Sequence, residues 1–306
     1  METIDPQLLR VLLAVRDAGS ISRAAATLGY SQPAVSQLLV RAEQRLGHDL
    51  VLRGGRGATL TESGRVLADH ALHVEAALAA AREDLDAVGG LARGRVRFAG
   101  FPSASSTLVP PVLAAMAASS PGVATSYVEA EPPEAIELVR RGEVDVALTF
   151  SHALQDDPGA DPTLTTEGIG RDPLALVTPT VVAADGDRAG AVADLSAFRD
   201  ARWIGGCPRC RGHLLASCAA SGFTPDIVLE TDNAAAVVGL VAAGLGVALL
   251  PRLALTTTVV PPGVHATPVG DELARRVEVV VARGADRVPS VRAALDAVRG
   301  AAHLLG

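Results

Sequence analysis

The 306-residue sequence contains no lysine, so its 27 Lys and Arg positions are all arginine, which we attribute first to genomic base composition. It has only three cysteines, too few for the disulfide framework of a small secreted domain. The opening residues, METIDPQLLR, are polar and charged, unlike the apolar core of a secretory signal. We therefore expect a cytoplasmic protein.

Long apolar runs typical of a membrane span are also missing. The uncharged run from Asn233 to Pro251 contains three glycines and ends in proline. This pattern predicts a buried helix, a glycine turn and a buried strand, so no membrane partner is expected.

Negative charge is in modest excess. The net charge of −7 argues against a protein that coats nucleic acid indiscriminately, and 49% hydrophobic residues exclude a disordered chain. Between Ser20 and Leu60, however, five arginines face two acidic residues, which gives a local charge of +3. A basic segment on an acidic body fits selective, salt-sensitive DNA binding.

Two helices joined by a glycine turn are predicted over residues 20–47. Ser20 is expected to cap an alanine-rich first helix, and Gly29 to end it. Ser31 is expected to cap the second helix, with Pro33 tolerated in its first turn. The second helix carries an apolar face formed by Val35, Leu38, Leu39, Ala42 and Leu46.

This pair of helices has the helix-turn-helix pattern, in which the second helix enters the major groove of DNA. Glutamine can hydrogen-bond to base edges, and serine can bond to bases or phosphates. An ordinary helical hairpin with a polar outer face is the alternative. The predicted DNA-binding residues of the second helix are Ser31, Gln32, Pro33, Ser36, Gln37 and Arg41.

A two-stranded wing is predicted to follow, from residues 50–53 and 58–60 around a glycine-rich tip. Arg53 and Arg56 are positioned to reach phosphates or the minor groove, and solvated loop arginines are the alternative. An earlier helix, capped by Asp5, is expected to brace the unit.

A long helix is predicted from Thr61 to about Val88. Apolar residues recur in it every seven positions in two series, which is the seam of a two-stranded coiled coil. The seam predicts a dimer, and packing against the chain's own body is the alternative. The two series are Leu67, Val74, Ala81 and Val88, and Ala71, Leu78 and Leu85.

After a break at Gly89-Gly90, predicted strands alternate with predicted helices to the end of the chain, which favours an α/β architecture with largely parallel sheets. Ligands bind such folds at the carboxyl ends of strands. The hydroxyl-rich loop 100–107 and the strand end at Phe150 are therefore predicted to face an effector. The candidate contacts there are Ser103, Ser105, Ser106, Phe150 and Ser151.

A cysteine cluster forms a second candidate effector wall, which includes Gly206 and Cys207. Three interpretations stay open. A Cys-x-x-Cys pair at a helix start has an activated thiolate that can sense oxidants. Cys207, Cys210 and His213 could instead bind zinc, although a second ligand pair is missing. In the third interpretation, these small residues only shape the cleft.

Residues 20–47 closely resemble the DNA-binding segment of the LysR-type transcriptional regulators, and the match continues at residues up to Gly64. Ala42 and Val51 depart from the family pattern, which usually has Leu and Phe there. The residues that carry the resemblance are Gly19-Ser20, Ala24-Ala25, Leu28, the run Ser31 to Ser36, Glu43, Leu46-Gly47, Leu50, Arg53, Leu60-Thr61 and Gly64.

The resemblance implies a mixed α+β and α/β fold in three parts. Residues 1–60 would form the winged helix-turn-helix, and residues 61–90 the linker dimerisation helix. Residues 91–306 would form a two-lobed α/β effector-binding domain like periplasmic solute-binding proteins, with lobe one at 94–164 and 269–306 and lobe two at 165–268.

The function implied is that of a DNA-binding regulator, activator or repressor, controlled by an unidentified small-molecule effector, with no cofactor. Double-stranded promoter DNA, a homodimer or homotetramer and RNA polymerase are the partners implied. The alternatives are a thiol oxidoreductase built on Cys207 and Cys210 and a solute-carrier binding protein.

Overall fold

The computed structural model describes residues 4–54, 57–88, 94–152, 161–180 and 192–305. The N-terminal part, which we call the head, has three helices and an antiparallel pair of strands, the wing. This arrangement confirms the winged helix-turn-helix. The elements of the head are α1 (Pro6–Ala18), α2 (Ile21–Thr27), α3 (Gln32–Leu46), β1 (Val51–Gly54) and β2 (Gly57–Leu60).

Helix α3 begins and ends as its sequence predicts. Oγ of Ser31 accepts a hydrogen bond from the backbone N–H of Ala34 (3.4 Å), and Gly47 ends the helix in the left-handed conformation (φ 70°). Ser20 occupies the N-cap position of α2, as predicted, but its side chain makes no capping hydrogen bond. Its backbone carbonyl accepts a hydrogen bond from the N–H of Ala24.

The long helix α4 (Glu62–Val88) has two apolar sides. One side packs on the chain itself, with α1 held to it by ion pairs that include Arg16–Asp69 (3.1 Å). Leu78 and Leu85 on the other side are 45% and 69% exposed. The predicted seam is wrong at Ala71, which is fully buried within the chain, and at Leu67, which packs against the core of the head.

Lobe one is a five-stranded sheet with strand order β4-β3-β5-β12-β6. Phe98, Leu148 and Val279 on its inner face form a core with helices that cover the sheet. Its strands are β3 (Gly94–Gly100), β4 (Val123–Glu129), β5 (Val146–His152), β6 (Leu164–Asp172) and β12 (Arg275–Ala282). Its helices are α5 (Pro102–Thr107), α6 (Val109–Ser119), α7 (Pro132–Arg140) and α11 (Pro289–Gly300).

Lobe two contains a three-stranded sheet and a parallel pair of strands, joined by a bridge between Trp203 and Val247. Trp203 is fully buried beside Cys218. The strands of lobe two are β7 (Leu174–Pro179), β8 (Arg202–Gly205), β9 (Asp226–Glu230), β10 (Ala248–Pro251) and β11 (Val264–Pro268). Its helices are α8 (Pro208–Ala220), α9 (Ala234–Ala242) and α10 (Arg252–Thr256).

The uncharged run 233–251 forms α9, a turn at Gly244 (φ 73°) and β10, in agreement with the sequence. Across the described ranges, no helix combines the length and apolarity needed to cross a bilayer.

Two topological predictions are wrong. The sheets are mixed rather than largely parallel, because β12 runs antiparallel to both β5 and β6, and β10 and β11 run antiparallel to β7. The first crossing between the lobes lies at Pro173, not near Thr165, because β6 pairs with β12 in the sheet of lobe one. The second crossing, between β11 and β12, falls near Pro268 as expected.

Candidate functional sites

The N-terminal half of α3 carries the predicted DNA-contacting side chains on its surface. Nε2 of Gln32 donates a hydrogen bond to Oγ of Ser36 (2.9 Å), which is half-buried. Because Ser31 is occupied as the cap, its role here is to fix the start of the helix. Among the predicted contacts, the exposed residues are Ser31, Gln32, Pro33, Gln37 and Arg41.

The wing is fastened to α3 by Glu43. Its Oε1 accepts hydrogen bonds from the backbone N–H groups of Leu50 (3.0 Å) and Val51 (3.1 Å). The position of β1 is therefore set by the recognition helix itself. The backbone of Arg53 belongs to β1, whereas its side chain and all of Arg56 lie outside the described part of the chain.

A cleft of about 430 Å³ lies between the two lobes. This volume falls within the usual size range of small-molecule sites. Lobe one contributes the start of α5 and the end of β5, and lobe two contributes the starts of α8 and α9. Five of the predicted effector residues line it: Ser103, Ser106, Phe150, Gly206 and Cys207.

Ser105 and Ser151 do not line the cleft. Oγ of Ser105 is hydrogen-bonded to the phenol oxygen of Tyr127 (2.5 Å), and Oγ of Ser151 donates to Oε1 of Glu278 (2.9 Å). The hydroxyl-rich stretch is also not a loop, because residues 102–107 form helix α5. Of the hydroxyl side chains in this stretch, only those of Ser103 and Ser106 line the cleft, and their oxygens accept hydrogen bonds from Arg275 and Thr257.

Arg275 is one of the cleft residues that sequence reasoning missed, together with Glu129, Glu131 and Asp232. Its Nη2 donates to Oγ of Ser103 (2.5 Å), and its guanidinium lies over the rings of Phe101 (4.7 Å) and Phe150 (4.5 Å). Its Nε (2.8 Å) and Nη2 (2.7 Å) both donate to Oδ2 of Asp172, which holds the guanidinium at the start of β12. No local sequence pattern marks this arginine, because it reaches the cleft through the pairing of β12 with β5, which lie far apart in the chain.

The cysteine pair lies at the start of α8. The pKa of Cys207 falls to about 6, mainly because the Cys210 thiol donates to its sulfur, with further help from the N–H groups of Arg209 and Cys210. The same contact raises the pKa of Cys210. Hydrogen bonds to the Cys207 sulfur are therefore the main cause of its lowered pKa.

Glu131 of lobe one faces this pair across the cleft, with its Oε2 3.6 Å from Sγ of Cys207. Burial, reinforced by the charges of Cys207 and Asp232, raises the pKa of Glu131 to about 7. The two groups can thus hold one proton between them near neutral pH.

The zinc alternative is contradicted by the direction of His213. Its ring stacks on His152 (centroids 3.9 Å apart), and its Nε2 lies 3.1 Å from the carbonyl oxygen of Leu273. Within the ranges that the structure describes, no three Cys, His, Asp or Glu side chains are grouped to hold a metal ion. Cys207, Cys210 and His213 therefore do not form a ligand set.

Comparisons with known proteins cover both parts of the chain. Residues 6–65 match the model of the bacterial regulatory helix-turn-helix proteins of the lysR family, and residues 89–302 match that of the LysR substrate binding domain. The chain belongs to the LysR family of DNA-binding transcriptional regulators. As a LysR-type regulator it is not an enzyme, which removes the oxidoreductase alternative.

A curated relative of this LysR-type chain is the probable HTH-type transcriptional regulator LrrA of Synechococcus elongatus. It is 31% identical over 294 residues, which are 95% of each chain. LysR-type regulators bind DNA as oligomers, so double-stranded DNA and further copies of the chain are its partners.

Solved structures of full-length LysR-type regulators share this fold. A full-length OxyR variant from Pseudomonas aeruginosa has a TM-score of 0.69 at 19% identity, with 98% of this chain and 96% of that chain covered. LysG from Corynebacterium glutamicum, with bound effector Arg, has a TM-score of 0.66 at 22% identity, and 98% of each chain is covered. At these identities the likeness extends to the fold alone.

Proposed function

We propose that this LysR-type regulator controls transcription through a small-molecule effector that binds between its two lobes. The observation that carries the proposal is the interlobe cleft, whose walls come from both lobes and meet at Arg275. A ligand that touches both walls stabilises one lobe arrangement over others, and that preference shifts the population of DNA-bound states. The bound effector in LysG is consistent with this use of the fold.

We further propose that two copies join through the outer side of α4. The exposed side chains of Leu78 and Leu85 are one heptad apart, and burial of such a seam is the usual basis of a two-stranded coiled coil. Two heads related by a two-fold axis would read a two-fold symmetric promoter site. The same proposal places the protein in the cytoplasm, where it would form a tetramer and contact RNA polymerase.

The domain limits follow from this proposal. The head (1–60) reads DNA, the linker helix (61–90) joins copies and the two lobes bind the effector. With β6 assigned to lobe one, lobe one comprises residues 94–172 and 275–306, and lobe two the residues between them.

The proposed DNA binding is tested by a fluorescence-anisotropy titration with DNA from the genomic region that flanks the gene. We expect saturable binding at low salt that weakens steeply as salt is added. The proposed effector binding is tested by a thermal-shift screen of metabolites, because a ligand that binds only the native state raises the melting temperature of the protein. A protein that binds no flanking fragment, or whose DNA affinity responds to no metabolite, contradicts the proposal.

A second candidate, peroxide sensing, is favoured by the hydrogen bond from Cys210 to Cys207. The Cys207 thiolate would attack a peroxide oxygen, which breaks the O–O bond and gives a sulfenic acid and a hydroxide that takes up a proton. The Cys210 thiol would then attack that sulfur, forming a disulfide and releasing water. Two thiols and one hydrogen peroxide thus become one disulfide and two waters.

Mass spectrometry of non-reduced protein tests this candidate. Hydrogen peroxide should remove two hydrogen atoms from the wild type and none from Cys207→Ser. Cys218, which is fully buried in lobe two, serves as the unreactive control. A disulfide that involves Cys218, or no change in wild-type mass, would exclude peroxide sensing by this pair.

A further inference from the structure

The charged side chains that line the interlobe cleft are mostly acidic. Glu129 and Glu131 stand on lobe one, at the end of β4 and the start of α7, and Asp232 stands on lobe two before α9. None of these three carboxyl groups takes part in an ion pair within the described residues. The cleft therefore carries unneutralised negative charge on both of its walls.

Arg275 offsets this charge only in part, because its charge favours ionisation of Glu131 but is shared with Asp172. It is the one basic side chain among the described lining residues, and it is already bonded to Asp172 and Ser103. Because the Asp172 carboxylate is buried against it, the pair is neutral as a unit. An anionic ligand would meet three carboxyl groups, whereas the one basic side chain among the described lining residues is already paired with Asp172.

The carboxyl groups of the two lobes are close enough to influence one another. Glu131 approaches Cys207 at 3.6 Å, and a Cβ atom added to the adjacent Gly206 would lie 3.8 Å from Oδ1 of Asp232. The charges of Asp232 and Cys207 both disfavour ionisation of Glu131. The positions of the two lobes in this structure thus bring like charges together.

We propose that the effector is an organic cation, a protonated amine or a guanidinium compound, that bridges Glu131 and Glu129 of lobe one to Asp232 of lobe two. This inference rests on the proposed effector function of the cleft and names its ligand class. A cation with several N–H donors converts the repulsion between the walls into attraction, so its binding favours closure of the lobes. A bare metal ion is a poor alternative, since no described cluster here can hold one.

Proton release is the signature of this arrangement. In the free protein Glu131 is partly protonated near neutral pH, and a bound cation lowers its pKa and expels that proton. Calorimetric titration in two buffers of different ionisation enthalpy measures the released fraction, which we expect to lie between zero and one proton per site at pH 7. Glu131→Gln should abolish the release.

The test uses the full chain and a panel of probes at about 10 mM: agmatine, putrescine and L-lysine as cations, and succinate and benzoate as anions. At least one cation should raise the melting temperature, and neither anion should. Glu131→Gln and Asp232→Asn should each weaken binding of that cation by about tenfold or more. Glu134→Gln, an exposed site three residues along on α7, is the matched control and should bind like wild type.

The outcomes separate this inference from the function on which it rests. If the anions stabilise the protein and Gly206→Trp blocks them, the cleft is an effector site but the cation assignment is wrong. If a cation binds equally well to Glu131→Gln and Asp232→Asn, the bridging carboxyl groups are wrong. If no probe of either charge stabilises the protein and no metabolite alters DNA binding, both the inference and the proposed function fail.

Discussion

Arg275 and Asp172 form an ion pair at the junction of the two lobes, with Nη2 2.7 Å from Oδ2 and both side chains at most 3% exposed. Asp172 also accepts a hydrogen bond from the backbone N–H of Leu253 on lobe two (3.0 Å). One carboxylate thus ties the last strand of lobe one to the first helix after β10. A buried charge held in this way cannot lose its partner cheaply.

Asp172→Asn should therefore lower the free energy of unfolding by about 3–5 kcal/mol, because the Arg275 guanidinium would be left buried without its counter-charge. Urea denaturation followed by circular dichroism measures the change. Glu167→Gln on the same strand breaks the exposed pair with Arg299 and is the control, with an expected loss of at most about 1 kcal/mol. Equal effects of the two substitutions would contradict the burial argument.

A second prediction concerns two helical glycines in contrasting surroundings. A Cβ on Gly64 would lie 2.1 Å from the carbonyl oxygen of Leu50, whereas a Cβ on Gly239 would meet nothing within 4 Å. Gly64→Ala must push the wing off α4, so it should destabilise the head by about 1–3 kcal/mol. Gly239→Ala should stabilise lobe two by about 0.5–1 kcal/mol. Thermal unfolding of both variants measures these changes. A Gly64→Ala variant as stable as the wild type would show that the wing is loosely held.

Local signals explain why the head could be predicted from the sequence. Ser31, Pro33 and Gly47 each act on the backbone within a few residues, so the limits of α3 follow from the chain itself. Strands β6 and β11 are hard to predict from the sequence for the opposite reason. They lie at sheet edges with mixed exposure, so they show no clear hydrophobic alternation.

The cleft was only partly predictable. Phe150 and Ser151 are neighbours on one strand, and side chains alternate between its faces, so the register decides which one meets a ligand. Arg275 comes from the far end of the sequence and reaches the cleft only through the pairing of β12 with β5. No local pattern near residue 275 reports that pairing. The sequence of a segment therefore shows which chemical groups it carries, whereas the pairing of the strands determines which other segments it meets in the cleft.

A third prediction separates base recognition from phosphate contact on α3. Gln37→Ala should cost about 1–3 kcal/mol on the preferred DNA sequence and leave nonspecific binding unchanged. Arg41→Ala should weaken binding to all sequences alike and reduce the salt slope by about one. Anisotropy titrations at several salt concentrations, with the preferred and a scrambled duplex, measure both effects. Identical losses on the two duplexes for Gln37→Ala would remove its base-reading role.

A fourth prediction addresses the outer side of α4. Leu78→Glu combined with Leu85→Glu places like charges in the seam between copies, so the dissociation constant of the dimer should rise by at least about tenfold. Asp84→Lys, an exposed change on the flank of the same helix, should leave the mass unchanged. Light scattering coupled to size-exclusion chromatography reports the masses. A double variant that stays dimeric would move the contact to another surface.

The last prediction follows from the pKa of Cys207. Its value of about 6 lies below the ordinary 9.0 of a thiol, so the reactive thiolate forms as the pH rises through 6 and predominates at pH 7. The rate of alkylation by iodoacetamide should therefore rise to a plateau with a midpoint near pH 6. Cys210→Ala removes the principal hydrogen bond to that sulfur, so the midpoint should move upward and the rate at pH 7 should fall.

Peptide mass spectrometry resolves the reaction at each cysteine. Cys218 supplies an internal comparison, because burial raises its pKa to about 12 and its reaction should be slow throughout. A Cys207 midpoint that stays near 9 in the wild type, or that does not move in Cys210→Ala, would mean that the helix start does not activate this thiol. In that case the cysteines only shape the cleft wall, and peroxide sensing by this pair loses its chemical basis. The proposal that an effector binds in the cleft would be unaffected.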